Sequence, residues 1–416
     1  MTRFPQKAYR RFVLTIVGFV AVVVVGFTAL NTWINPLWVT PTPWTDTGFA
    51  EWRPVYRHQR TAKAGMVRAE DWQAAFFGSS RIDIALDPAL PEWGDTKAVN
   101  LAVSAGTLPE TSGILHYAIE RDPLELAIVG IDLGDLMGAG SGIRTTGYME
   151  SPFNEKGDPF ERELRYLAGI STFESSIRAM ENRAEERLPE YTTQGHRLRH
   201  QEPDNVAKVI YRDSIPHAIR VVRRRRTLEV EPNPWKVACL QRILDDTKAK
   251  KCKLVVVMPP NHATYLGVYH YLNDDDRVHS TDRALMVKML AESNARHPDA
   301  PPAVIWDFND FHPLNCEPIP TDGSRMHWWL DGTHARKALG DVMLHRIMGW
   351  PIDGEGQDYG IQLTAENLED RYQQLRDGYE RFRTEQPELW QWMVDAISNY
   401  QGTDELRDGE MDSDAR

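Results

Sequence analysis

At 416 residues, the chain is too long for one minimal domain and fits one large α/β domain with additions, or two domains. Hydrophobic residues make up 42% and charged residues 26%, which excludes a mainly disordered or fibrous protein. Acidic residues outnumber basic ones by 60 to 48, a formal charge of −12, so no broad nucleic-acid surface is expected, since phosphate binding needs a positive field.

The first element read along the chain sets the compartment. Phe12 to Thr45 contains no charged residue, and Val13 to Leu30 is nearly all apolar and long enough to cross most of a bilayer. Arg3, Lys7, Arg10 and Arg11 precede it, and Trp33 and Trp38 follow it where interfacial aromatics are expected. The positive flank predicts a cytoplasmic N-terminus, with everything after residue 35 across the membrane. A cleaved signal peptide is the competing reading. The cleavage pattern around Thr28, Ala29 and Leu30 is poor, which favours an uncleaved anchor over 13–34.

Residues 35–70, rich in Pro and Trp, read as a juxtamembrane connector. AAFFGSSR (74–81) reads as a strand followed by a sharp turn, and KAVNLAV (97–103) as a second strand. Glu110 to Arg121 predicts a helix. LELAIVGIDL (124–133), KLVVVM (253–258) and AVIWDF (303–308) read as three further strands. Continuous apolar strands alternating with helical stretches imply a parallel sheet covered on both faces. Helical charge patterns within about 134–235 predict an insertion over the sheet, and the run Arg223 to Arg226 reads as a solvated helix end. Residues 351–416 read as an amphipathic helical extension closed by a disordered acidic tail. Cys239, Cys252 and Cys316 are too few for a disulfide scaffold, and no Cys/His pair has zinc spacing, so neither a metal nor a cofactor is called for.

Two short motifs could carry chemistry. Gly78-Ser79-Ser80-Arg81 stands at a strand end, where α/β proteins place their sites, and a serine there is a nucleophile if a base reaches it. The plainer reading is a turn that caps a helix. Asp331-Gly332-Thr333-His334 precedes an amphipathic helix; its carboxylate can fix the imidazole tautomer while the imidazole takes the serine proton. A helix N-cap beside a surface histidine is the plainer alternative.

Taken together, a Gly-x-Ser block after the first strand and a D-x-x-H block before the last sheet helix resemble the SGNH (GDSL-like) hydrolase and acyltransferase superfamily over about residues 71–350. The resemblance implies an SGNH-like (flavodoxin-like) three-layer sandwich with a parallel sheet. It places Ser80 as nucleophile, His334 as base and Asp331 as its orienting carboxylate, with Ser79 where the family has Asp. It puts Ala105 or Gly106 in the place of the backbone oxyanion donor. Asp132 stands where the family has an asparagine amide. An ionised carboxylate cannot donate a hydrogen bond, so Asp132 is protonated, pairs with Arg81 or marks a changed chemistry. Asn261 and His262, after the fourth strand, are expected to line the site, and tryptophans 328 and 329 either stack on sugar or pack in the core. The anchor, FFGSSR and MHWWLD resemble membrane-anchored envelope members of this group, which include the alginate O-acetylation and D-alanyl transfer proteins. That narrower resemblance implies a periplasmic acyltransferase or esterase acting on acylated, O-acetylated cell-surface carbohydrate. Its partners would be the inner membrane, an acyl donor and other envelope-assembly proteins, with no nucleic acid. The alternative is a non-catalytic scaffold in polysaccharide export or envelope assembly.

Overall fold

The computed structural model describes residues 6–137, 142–143, 145–200, 205–226, 231–272, 275–320 and 322–400. The acidic tail lies outside them. In chain order the elements begin with α1 (Gln6–Ile34), α2 (Gln59–Ala69), β1 (Ala74–Phe77), α3 (Ser80–Ala85), β2 (Ala98–Asn100), α4 (Leu108–Ile119) and β3 (Leu126–Gly130). Then come α5 (Thr145–Tyr148), α6 (Pro159–Ala168), α7 (Ile170–Ala184), α8 (Val206–Val209), α9 (Ile215–Arg226) and α10 (Pro234–Ala249). The chain continues with β4 (Lys253–Met258), α11 (Ala263–Tyr271), α12 (Asp275–Arg296), β5 (Val304–Asp307) and α13 (Lys337–Met348). It closes with β6 (Ile361–Leu363), α14 (Leu368–Glu385) and α15 (Pro387–Ser398).

The chain divides into two units, and it crosses between them more than once. One comprises Met1–Glu70 with Gly147–Thr193; the other comprises Asp71–Thr146 with Gln194–Arg416. The second unit holds a six-stranded sheet of order β2-β1-β3-β4-β5-β6. All neighbours are parallel except β5 and β6. Ala74, Phe76, Ile128, Val255 and Val257 belong to a buried cluster with Ile82 of α3, Leu266 of α11 and Leu339 of α13. The alternate residues Ala75, Phe77, Ala127, Val129 and Val256 are equally buried. They lie on the opposite face, because side chains alternate along a strand. Helices α4, α10 and α12 pack against β1, β4 and β5 and against one another. Burial on both faces explains why these strands read as unbroken apolar runs.

Two expectations need correction in this unit. The C-terminal segment is not an appendage to the sheet. It adds the antiparallel edge strand β6, pairing Ile305 with Leu363. Arg371 of α14 also reaches the fully buried Asp307 at 3.0 Å, and Arg283 of α12 reaches the same carboxylate at 2.9 Å. Burial alone would raise the Asp307 pKa, but the two guanidiniums outweigh it and hold the group ionised. The expected insertion at about 134–235 is also divided. Residues 147–193 join the anchor-bearing unit, whereas α8 and α9 belong with the sheet.

In the other unit, α1 is long and apolar enough to cross a bilayer, with a mean hydropathy of 2.7 over its most apolar window. This is compatible with a single-pass anchor. Residues 35–70 are more than a connector. Asp46 caps a short 3₁₀ turn over Thr47–Trp52, and α2 buries Ala62, Ala64, Met66 and Val67. Gly65 permits a close crossing, since a Cβ there would lie 2.1 Å from the Leu37 carbonyl oxygen. The ends of α1 and α7 share a small core of Ile34, Phe49 and Ala179.

Candidate active site

The site is built at the carboxyl ends of the parallel strands. After β1 the chain turns at Gly78, whose φ of +141° disfavours an L side chain. A Cβ there would also press to 3.0 Å from the Gly130 carbonyl oxygen at the end of β3. Ser79 then caps α3, its hydroxyl accepting from the Arg81 N–H. Ser79 therefore takes the capping role, and Ser80, the first residue of the helix, is free to face elsewhere. Its Oγ lies 2.8 Å from His334 Nε2.

The imidazole is held from behind. His334 Nδ1 is 2.8 Å from Asp331 Oδ2. A carboxylate only accepts, so Nδ1 carries the proton and Nε2 is left as acceptor toward the Ser80 hydroxyl. The other oxygen, Asp331 Oδ1, accepts from the backbone N–H groups of Thr333 at 2.8 Å and His334 at 2.9 Å. Burial by itself would raise the Asp331 carboxyl. The hydrogen bond from His334 Nδ1, with those two backbone N–H groups, outweighs it and keeps Asp331 ionised well below the ordinary carboxylate range.

Arg81, which was no candidate in its own right, binds the surroundings together. Its Nη1 pairs with Asp132 Oδ1 at 3.0 Å, and its Nε donates to the Thr333 carbonyl at 3.1 Å. Its Nη2 donates to the carbonyls of Pro259, at 2.9 Å, and Pro260. One guanidinium thus links the nucleophile turn, the end of β3, the end of β4 and the histidine loop. Of the alternatives open for Asp132, pairing with Arg81 is the one adopted. Ser214 was also missed. It lies in a π turn over Ile210–Ser214 between α8 and α9 and accepts from the Gly332 N–H at 3.2 Å. A π turn gives no periodicity signal in a sequence, so nothing pointed to it.

The remaining expected residues part company. Gly106 packs against the nucleophile turn, since a Cβ there would lie 2.7 Å from the Gly78 carbonyl oxygen. Its N–H is consumed by the Val103 carbonyl at 2.9 Å and is not a free donor. Ala105 is exposed, with φ +50°. Asn261 and His262 are buried and do not line an open site. Asn261 donates to Asn309 Oδ1 at 2.6 Å. His262 caps α11, with Nε2 against the Glu317 carbonyl and Nδ1 against the Thr264 hydroxyl, each at 2.8 Å. The two tryptophans differ: Trp329 is fully buried, with its indole N–H on the Leu314 carbonyl, and Trp328 is only half-buried. The cysteines 239, 252 and 316 are all free thiols. Among the described residues no His, Cys, Asp and Glu cluster has the arrangement of a metal site.

No protein-family model matches the chain, and the search of curated proteins finds no match to it.

Proposed function

We propose that the protein is an SGNH-like serine acyltransferase or esterase of the cell envelope. The observation that carries this reading is the unbroken line from Ser80 Oγ through His334 to Asp331, with both links at 2.8 Å. Serine is a poor nucleophile until a base takes its proton, and this arrangement supplies the base in the required tautomer. The strand order supports the flavodoxin-like reading. It reverses between β1 and β3, and in such sheets ligands bind beyond the carboxyl ends of the strands at that reversal. Ser80 follows β1 and Asp132 follows β3.

In the proposed reaction Ser80 Oγ attacks the acyl carbonyl carbon and His334 Nε2 takes the hydroxyl proton. Collapse of the tetrahedral intermediate breaks the ester bond, and the imidazolium returns the proton to the departing alcohol. A carbohydrate hydroxyl or water, deprotonated by His334, then attacks the acyl-serine and frees Ser80. The resemblance to membrane-anchored envelope proteins and the apolar α1 support an acylated, O-acetylated surface carbohydrate as substrate, on the periplasmic side of the inner membrane. The Asp132–Arg81 pair favours a second reading, a non-catalytic scaffold in polysaccharide export or envelope assembly. It puts a carboxylate where a donor to the oxyanion would stand.

A fluorophosphonate probe applied to the full-length protein in detergent separates the two. Labelling that vanishes in Ser80→Ala and persists in Ser79→Ala is expected. Loss of labelling in Ser79→Ala alone would mean the wrong serine has been chosen. In Asp132→Asn, which supplies an amide, labelling should persist or rise. If the wild type neither labels nor hydrolyses small acetyl esters, the scaffold reading replaces the enzyme.

A further inference from the structure

We infer that the α6–α7 corner is a second membrane contact, dipping below the interface into the acyl region of the leaflet where α1 emerges. The inference rests on the reading of α1 as a membrane anchor. Exposed large apolar side chains are distributed unevenly. Among the described residues beyond Val25, nine belong to the unit that contains α1 and two, Trp235 and Tyr271, to the sheet unit. Phe160 and Leu164, one helical turn apart on α6, are 78% and 52% exposed, and Ile170, which opens α7, is 68% exposed. Such a cluster on a soluble surface marks a contact to be covered.

Contacts with α1 fix the depth of this corner. Phe173 stacks on Phe27 with ring centroids 4.1 Å apart. Ser176 donates to Asn31 at 2.9 Å, and Ala179 shares a core with Ile34. The partner numbers rise together, so α7 runs parallel to the end of α1. Ile170 precedes Phe173 by three residues, about 4.5 Å at 1.5 Å per residue, and so stands roughly level with Val24, inside the apolar run. Gly169 makes the corner sharp, since a Cβ there would lie 2.3 Å from the Arg165 carbonyl oxygen.

The polarity order along this direction fits phospholipid. Past the apolar corner, near the level of Ile34, a cavity of about 280 Å³ is lined by Arg53, Arg57, Arg178 and Arg187 with Glu51 and Glu190. Arg187 pairs with Glu185 at 2.6 Å and Arg178 with Glu181 at 3.8 Å, so this level is charged but balanced. Apolar surface followed by a charged, hydrated rim is the order in which a bilayer presents acyl chains and then headgroups.

The test uses full-length protein in nanodiscs of phosphatidylcholine and phosphatidylglycerol carrying doxyl-labelled acyl chains. Cys239→Ser removes the more accessible thiol, since Cys252 and Cys316 are buried. Single NBD labels are placed at Val20→Cys, Ile170→Cys and Leu188→Cys. Leu188 is also exposed but lies beside the last turns of α7, since the Arg187 N–H reaches the Asn182 carbonyl, about 18 Å along the helix from Ile170. Strong quenching at 20 and 170 and little at 188 is the expected result. Quenching at 20 without quenching at 170 overturns the seat and leaves the anchor standing. Equal quenching at 170 and 188 overturns the depth assignment, and no quenching at 20 removes the anchor and the seat together.

Discussion

His262 and His334 lie in one neighbourhood and have been given opposite tasks. Nε2 of His262 meets a carbonyl, which can only accept, so Nε2 carries the proton and Nδ1 accepts from the Thr264 N–H at 3.3 Å. Protonating Nδ1 would break that bond and leave a charge in a fully buried site. Burial accordingly pulls its pKa down to about 4. For a histidine lowered in this way, stability is complete above the unfolded value near 6.5 and is lost as pH falls toward 4. The loss amounts to about 3.5 kcal/mol at most, at about 1.4 kcal/mol per pKa unit. The share of thermal stability that His262 controls should therefore fall between pH 7 and pH 4.5, against the opposite trend of Asp122 and Asp135, whose carboxyls burial raises to about 7 and about 6. His262→Gln should melt lower at pH 7 but lose less over that range; an unchanged pH slope in the variant would assign the acid sensitivity elsewhere. Asp331 behaves in the other sense, since its depressed pKa keeps its contribution intact through the same window.

At the scale of elements, α3 and α13 carry the two halves of the site, Ser80 opening one and His334 preceding the other. Their approach depends on Gly340, where a Cβ would lie 1.9 Å from the Ala85 carbonyl oxygen. Backbone cannot step aside as a flexible side chain can. Gly340→Ala should destabilise the protein by about 1–3 kcal/mol, the usual cost of overpacking. Any fluorophosphonate labelling should fall in the folded variant as well; chemical denaturation and labelling rates check both, and wild-type stability would contradict the close crossing. The expected strands all appear, because long apolar runs survive as strands when both faces are covered. β6 was not legible: three residues, Ile361–Leu363, with one exposed side chain, carry no period. Ser80, His334 and Asp331 could be picked out because their chemistry sits in short local blocks. Arg81 could be named only as a partner for Asp132, and Ser214 not at all, since their remaining roles arise from carbonyls and an N–H brought from distant parts of the chain. His262 was misjudged because a histidine after a strand end looks the same whether its ring faces a cleft or the core.

For the whole molecule, we propose a cytoplasmic N-terminus, the orientation favoured by Arg3, Lys7, Arg10 and Arg11 ahead of the apolar span. Alkaline phosphatase, which needs its disulfides, should be active when fused after residue 60. A silent phosphatase with an active cytoplasmic reporter at the same junction would reverse the topology. The discontinuous unit also imposes an order on biosynthesis. Residues 1–70 leave the ribosome first, but their unit lacks α6 and α7 until residue 193 has been made. Between them emerge β1, β2 and β3, which wait in turn for β4 at Lys253. At about 5–20 residues per second, the early segments of both units stay incomplete for several seconds or longer. With α1 as the proposed anchor, a nascent chain would spend that interval held at a membrane, where the exposed faces of its unfinished units are kept apart from those of other copies.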